Sequence, residues 1–431
     1  MYKNIGLIVL FWAIACTASA QNGASPYTTI GIGDIRGMSL IHNDAMGGVG
    51  IATSRPWSMS TINPAWLPMN ELTTFEIGVR AEQRNLEQDT LSQTVGGGNL
   101  SYLALSVPLK AGRVTTSIGF MPYSHVDYEI NSTTPIQNSN NLANTTYRGY
   151  GGINQAFIAT GVRVFKHLYV GARLGYLFSG IKEDIVVNPF SFQVNDTTSG
   201  TLYKSVLSKR TSFSDFYLST GVAYEFKLNQ KSYLNLGATY DLQTNVSGVR
   251  SSTLERRRDR DVDGSAVEEV LDFTVLPDLD GSIMLPARYG FGIAFQRGTK
   301  WNIAADAVFQ DWSKFKGFTG ASDENLGAMS RYAIGVEFIP DFFSVKSYFD
   351  RMAYKAGFSF GNTPFVKNNQ QVSEFGINFG TSLPVGGSVF TLAFGYGQRG
   401  TTDENLIFED YYSVSLGVSF NDRWFQQRKY D

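Results

Sequence analysis

Tyr411-Tyr-Ser-Val-Ser-Leu-Gly-Val-Ser-Phe420 alternates without a break. Tyr412, Val414, Leu416, Val418 and Phe420 fall on one face, and Ser413, Ser415, Gly417 and Ser419 on the other. Successive side chains of a strand point to opposite sides, so this is a strand with one greasy face and one small, polar face. At about ten residues it is long enough to cross a bilayer when tilted. Ser388 to Tyr396 repeats the pattern, with Phe390, Leu392, Phe394 and Tyr396 opposite Val389, Thr391, Ala393 and Gly395. Leu168 to Phe178 does so again, with Leu168, Val170, Ala172, Leu174, Tyr176 and Phe178 on the apolar face.

Followed outward, the period gives about fourteen strands. They lie near 73–85, 100–109, 113–130, 153–165, 168–186, 210–226, 232–249, 285–296, 300–313, 328–339, 351–361, 372–385, 388–399 and 411–420. Their connections alternate in length. Lys110-Ala-Gly112, Lys166-His167, Lys227 to Lys231, Arg297 to Lys300 and Gly386-Gly387 are short, with 340–350 the one longer turn among them. The intervening connections 86–99, 131–152, 187–209, 250–284, 314–327, 362–371 and 400–410 are long. A soluble sandwich explains strands but not this rhythm, whereas an outer-membrane barrel has short periplasmic turns and long outer loops. An even strand number also closes the sheet with no free edge, as lipid requires. The expected fold is an all-β, fourteen-stranded antiparallel transmembrane β-barrel.

Composition agrees. Of 431 residues, 43% are apolar and only 17% charged, with 31 Phe, 22 Tyr and 44 Gly. The net charge of −2 offers no bulk grip on nucleic acid, and three His and one Cys leave little for metal or thiol chemistry. Lys3, the apolar run Ile5 to Ala15 and Ala18-Ser-Ala20 form an export signal, with cleavage expected after Ala20. Cys16 offers a rival lipoprotein site, for which Ala13 is a poor fit. Residues 21–72 are turn-rich and lack alternation. The inward face of the proposed strands carries Gly78, Gly119, Gly161, Gly221, Gly237, Gly290, Gly292, Gly335 and Gly357. Glycine in a strand marks close approach of another backbone, so the 21–72 segment is expected inside the barrel as a plug. The expected organisation is 1–20 signal, 21–72 plug, 73–420 barrel and 421–431 an aromatic-basic periplasmic tail.

Two stretches carry a family resemblance. Asp44-Ala-Met-Gly-Gly-Val-Gly-Ile-Ala52 followed by Ile62-Asn-Pro-Ala-Trp-Leu67 resembles the N-terminal pattern of the FadL/TodX outer-membrane transport family. Leu285-Pro-Ala-Arg-Tyr-Gly-Phe-Gly292, Ala304-Ala-Asp306 and Asp311-Trp-Ser313 are similar to its later strands. The resemblance implies a barrel with an N-terminal hatch, here with Gly47, Gly48, Gly50, Asn63, Pro64 and Ala65 as hatch residues. It implies passive uptake of hydrophobic compounds such as fatty acids. The alternative is a non-transporting barrel subunit or scaffold of a secretion or barrel-assembly complex. The charged loop 250–284 and the tail with Trp424, Phe425, Arg428 and Lys429 favour that alternative. Expected partners are outer-membrane lipids, a hydrophobic small molecule and, through the tail, other outer-membrane or periplasmic proteins.

No enzyme, cofactor or metal site is read from the chain. Asp259, Asp261, Asp263 and Gly264 match half a calcium loop, but position twelve is Val270, which cannot ligate. Ser124 falls on the opposite strand face from His125 and Asp127, which forbids a relay among them. Inward charges, among them Glu76, Arg80, Asp241, Arg288, Asp306, Arg331 and Glu337, are expected to pair with one another or with the plug. Arg163, Arg173 and Lys355 are the candidates to meet an anionic ligand head group.

Overall fold

The computed structural model describes residues 25–135, 142–189, 202–260, 266–402 and 406–424. The signal with Cys16 and Ala20, the candidate calcium residues Asp261, Asp263 and Gly264 with the Asp259 side chain, and Phe425, Arg428 and Lys429 lie outside the described residues.

A short β1 (Asp34–Ile35) is followed by β2 (Thr73–Gln88), β3 (Leu91–Lys110), β4 (Val114–Pro122), β5 (Ser124–Pro135), β6 (Leu142–Gly151) and β7 (Ile153–Arg163). Next come β8 (Leu168–Ser179), β9 (Ile181–Pro189), β10 (Leu202–Lys227), β11 (Ser232–Asp241), β12 (Thr244–Arg260), β13 (Ala266–Leu285) and β14 (Arg288–Arg297). The last six are β15 (Trp301–Asp311), β16 (Ala328–Phe338), β17 (Ala353–Lys367), β18 (Gln370–Val385), β19 (Ser388–Arg399) and β20 (Phe408–Asp422). Fourteen of them, β2, β3, β4, β7, β8, β10, β11 and β14 to β20, pair antiparallel in that order. β20 returns to β2 with Thr73 opposite Asp422 and Glu87 opposite Phe408, so the barrel is closed. Each of these strands overlaps one expected from alternation.

The long connections are less loop than expected. β5, β6, β9, β12 and β13 prolong the barrel strands past brief breaks, and with the first half of β10 they form a second sheet ordered β5–β6–β9–β10–β12–β13. Stretches 86–99 and 362–371 are likewise mostly strand, turning at Asp89-Thr90 and at Asn368-Asn369. Both asparagines take left-handed φ, 53° and 61°, as a tight hairpin turn of this kind requires. These stretches carry polar residues on both faces because they rise beyond lipid, so a search for one apolar face passes over them.

The outward face is an apolar belt. Val79, Ile118, Leu174, Phe216, Phe291, Ile334, Phe394 and Val414 are exposed there. Aromatic rings meet across strands, Tyr240 on Tyr289 at 5.1 Å, Tyr332 on Phe360 at 5.3 Å and Tyr396 on Tyr412 at 5.1 Å. Polar outward positions would forfeit several kcal/mol apiece in lipid, which is why the belt is so uniform.

Candidate functional site

Residues 25–72 run through the lumen, and the strand glycines meet them. A Cβ at Gly161 or Gly171 would strike Pro64, one at Gly221 would strike Asn63, and one at Gly237 would strike Ile51. Gly335 and Gly357 face Met46, Gly292 faces Ala52, and Gly380 faces Ala45. Gly119 differs: it makes room for Phe157 of the neighbouring strand.

The local conformation of the segment follows from its residues. Asn63 starts a 3₁₀ turn, Pro64–Met69, and its side chain accepts from the Ala65 N–H at 3.0 Å. Pro64 fills a first-turn position where no donor is needed. The Asn63 amide donates to the carbonyls of Ile51 (2.8 Å) and Val222 (3.3 Å), joining segment to wall, and Trp66 Nε1 donates to Ile51 O at 3.0 Å. Gly47 and Gly48 have φ of 72° and 79°, a region that admits little but glycine. The N–H groups of Gly50 and Ile51 donate to Asp306 at 2.7 and 3.0 Å.

The segment also mends the wall. β3 pairs with β4 but, among the described residues, not with β5. The free edge of β5 is taken by β1, with Asp34 opposite His125 and Ile35 opposite Ser124, while Ser25 N–H donates to Asp127 O at 2.9 Å. Ser124 Oγ is engaged by the Ile153 N–H.

Two buried ion clusters bolt the segment in place. Towards the outer end, Arg84 meets Glu409 (2.6 Å), Glu82 (2.5 Å) and Asp34 (3.7 Å), and Arg399 meets Asp34 (2.8 Å) and Glu374 (3.4 Å). Burial alone would raise the Asp34 carboxyl, but Arg399 and Arg84 hold it below the usual range. Towards the other end, Glu337 takes both Arg55 (2.7 Å) and Lys355 (3.1 Å). A cavity of about 280 Å³ opens against the first cluster, with Asp34, Glu82, Arg84, Glu374 and Arg399 in its wall. Its wall mixes charged residues, among them Arg80, Arg173, Arg288, Arg331 and Asp306, with apolar ones, among them Ile35, Met38, Ile62, Val308, Met329 and Phe360. Beyond it, Tyr27, Ile32, Trp312, Phe315, Phe318, Leu326 and Phe365 pack into an apolar cap.

Of the three cations singled out for a ligand, Arg163 lies away from this cavity, donating to the Lys166 carbonyl and stacking on Tyr169. Arg173 lines the cavity but donates to Thr61 O (2.6 Å) and Ser219 Oγ (3.0 Å). Lys355 sits in the lower cluster and donates to His42 O at 3.3 Å. Sequence reasoning did not reach Arg84, Arg399, Glu374 and Glu409. Arg84, Glu374 and Arg399 sit at the ends of the strands inferred from apolar alternation and Glu409 just before the last one, although the inward parity of Glu76 and Arg80 already includes Glu82 and Arg84.

A closed fourteen-stranded barrel with an apolar belt and a threaded N-terminal segment is the fold of the FadL/TodX type of outer-membrane protein. The CymD monoaromatic hydrocarbon channel is similar at 15% identity and a TM-score of 0.55, over 90% of this chain and 99% of that one. The Ralstonia pickettii toluene transporter TbuX gives 15% and 0.57 over 90% and 99%, and a Pseudomonas aeruginosa FadL homologue 12% and 0.55 over 90% and 99%. At these identities the likeness is one of fold. The chain belongs to the BamG family, whose model matches residues 1–431. None of the curated proteins matches it.

Proposed function

We propose that this barrel is a non-transporting subunit of an outer-membrane barrel-assembly complex, with residues 25–72 acting as a fixed plug. The observation that carries the reading is the lumen. A hydrophobic passenger gains free energy by leaving water for an apolar surface, and the arginines and carboxylates set among the apolar residues of this wall reduce that gain. The segment filling the rest is held by buried charge pairs at both ends, and breaking such pairs is costly. Membership of the BamG family points towards barrel assembly as well. The second sheet, β5–β6–β9–β10–β12–β13, supplies surface for protein contacts.

The second reading is passive uptake of hydrophobic compounds such as fatty acids. It is favoured by the shared fold with hydrocarbon channels and by Met329, Phe360 and Phe365 in the cavity wall. In that case Arg288 and Arg331, which line the cavity, join Arg173 as candidates to meet an acidic head group.

Purification from native membranes in mild detergent, with mass spectrometry of everything recovered, separates the two. Stoichiometric outer-membrane or periplasmic proteins and an empty lumen are the expected result. A lone monomer carrying a stoichiometric apolar ligand would overturn the assembly reading in favour of uptake.

A further inference from the structure

The longest turn at the short-turn end of the barrel joins β16 to β17 and reads Pro340-Asp-Phe-Phe-Ser-Val-Lys-Ser-Tyr-Phe-Asp-Arg351. It is a built shape. Asp341 N–H donates to Asp350 O at 2.9 Å, Phe343 N–H to the Asp341 carboxylate at 3.1 Å, and Ser344 Oγ to Asp350 at 3.3 Å, ahead of one helical turn at Tyr348–Arg351. Yet Val345 is 100% exposed, Phe343 79% and Phe349 68%. An ordered turn that holds three large apolar side chains off the protein needs something apolar to receive them.

Its position indicates what. Tyr354 is opposite Phe338, and Phe338 opposite Trp301, so the three form a row across β17, β16 and β15. The Trp301 and Phe338 rings are 4.4 Å apart, and this row is the short-turn end of the apolar belt. Tyr354 OH donates to Phe349 O at 3.2 Å, so the turn hangs from that row. Lys346 lies within the turn, and the Arg351 guanidinium stacks over Tyr348 at 5.3 Å. The carboxylates of Asp341 and Asp350 are engaged within the turn, and exposed apolar side chains with two cations beside an aromatic girdle fit the headgroup level of a bilayer.

We propose that residues 340–351 form an amphipathic anchor in the phospholipid inner leaflet of the outer membrane. Phe343, Val345 and Phe349 enter the acyl boundary, and Lys346 and Arg351 lie among the phosphates. On its other side the turn packs Phe342 on Trp57 at 4.7 Å, and Trp57 neighbours Arg55, the partner of Glu337. The anchor therefore also fixes the 55–58 hairpin of the lumenal segment relative to the bilayer. This inference holds whether the barrel assembles or transports.

A nitroxide at Val345→Cys in the full mature chain tests it, since a fully exposed site tolerates the change. The protein is reconstituted into phosphatidylethanolamine–phosphatidylglycerol vesicles, and the label's collisions with oxygen and with a water-soluble nickel chelate are compared. Phe358→Cys in the belt and Gln230→Cys in another turn at the same end serve as references. The expected label resembles Phe358→Cys, with nickel access several-fold below that at Gln230→Cys. Access equal to Gln230→Cys in the vesicles would overturn the anchor. Protection seen only in native membranes would also overturn it, assigning the turn to a protein partner.

Discussion

Gly357 faces the Met46 carbonyl carbon and the Gly47 nitrogen, so a side chain there would meet backbone on a segment that is itself pinned. Overpacking of this kind costs about 1–3 kcal/mol where neighbours can shift, and backbone shifts poorly. Gly357→Val is expected to leave the barrel folded but to unseat the 46–51 stretch, read as faster proteolysis of residues 25–72. Gly98→Ala, whose new Cβ would find ordinary contact distances, should leave proteolysis unchanged. Arg84 works by charge. Glu409 has 0% side-chain exposure and depends on Arg84 and Arg399. Arg84→Met leaves a buried carboxylate short of a partner and should cost about 3–5 kcal/mol, seen as a lower unfolding temperature in detergent. Asp34→Asn should also destabilise at neutral pH. Because the Asp34 carboxyl is held below its ordinary value, its contribution is present above about 3.9 and lost as pH falls through the lower folded value. The gap between Asp34→Asn and the parent should therefore close in acid.

Hairpins decide the topology at the next scale. The turns after β3, β7, β10, β14 and β18 are short, while the β12–β13 hairpin rises from the opposite end. An epitope inserted between Arg260 and Ala266 is expected to bind antibody on intact cells, and one after Asp431 only after permeabilisation. The reverse labelling would invert the barrel in the membrane. The C-terminal end also becomes more specific. β20 runs to Asp422, opposite Thr73, and Asn421 N–H donates to Gly387 O at 3.0 Å. The boundary expected at 420 thus falls inside the strand that closes the barrel. Removing 421–431 would damage the seam, whereas removing 425–431 tests the tail alone. The shorter deletion should leave strand content intact while lowering recovery of partner proteins.

For the molecule as a whole, the proposed plug assigns sealing to the lumenal segment, which completes the β5 edge and contributes Tyr27 and Ile32 to the outer cap. Deleting Gly47 to Ala65 removes the part that touches most strands. In a planar bilayer the parent should be closed and the deletion variant should conduct ions freely. Hydrophobic uptake should be the same in both if the barrel is an assembly subunit, and should be lost in the variant if it is a transporter. A deletion variant that folds and stays sealed would refute the plug.

The period of two in stretches such as Tyr411 to Phe420 and the run of inward glycines determined, from local residues alone, the class of fold, the strand order and where another backbone must approach. Those properties are local because lipid imposes one rule on every outward position. The partners of the inward charges were another matter. Arg84 meets Glu409 across 325 residues and Arg399 meets Asp34 across 365, contacts that exist only once β20 has closed on β2 and the N-terminal segment is seated. The same holds for Arg163, Arg173 and Lys355, which share inward parity but reach a turn carbonyl, a cavity wall and an ion cluster respectively. Parity gives the face of a strand, while depth and partner depend on three-dimensional closure, and so only the tertiary structure decided them.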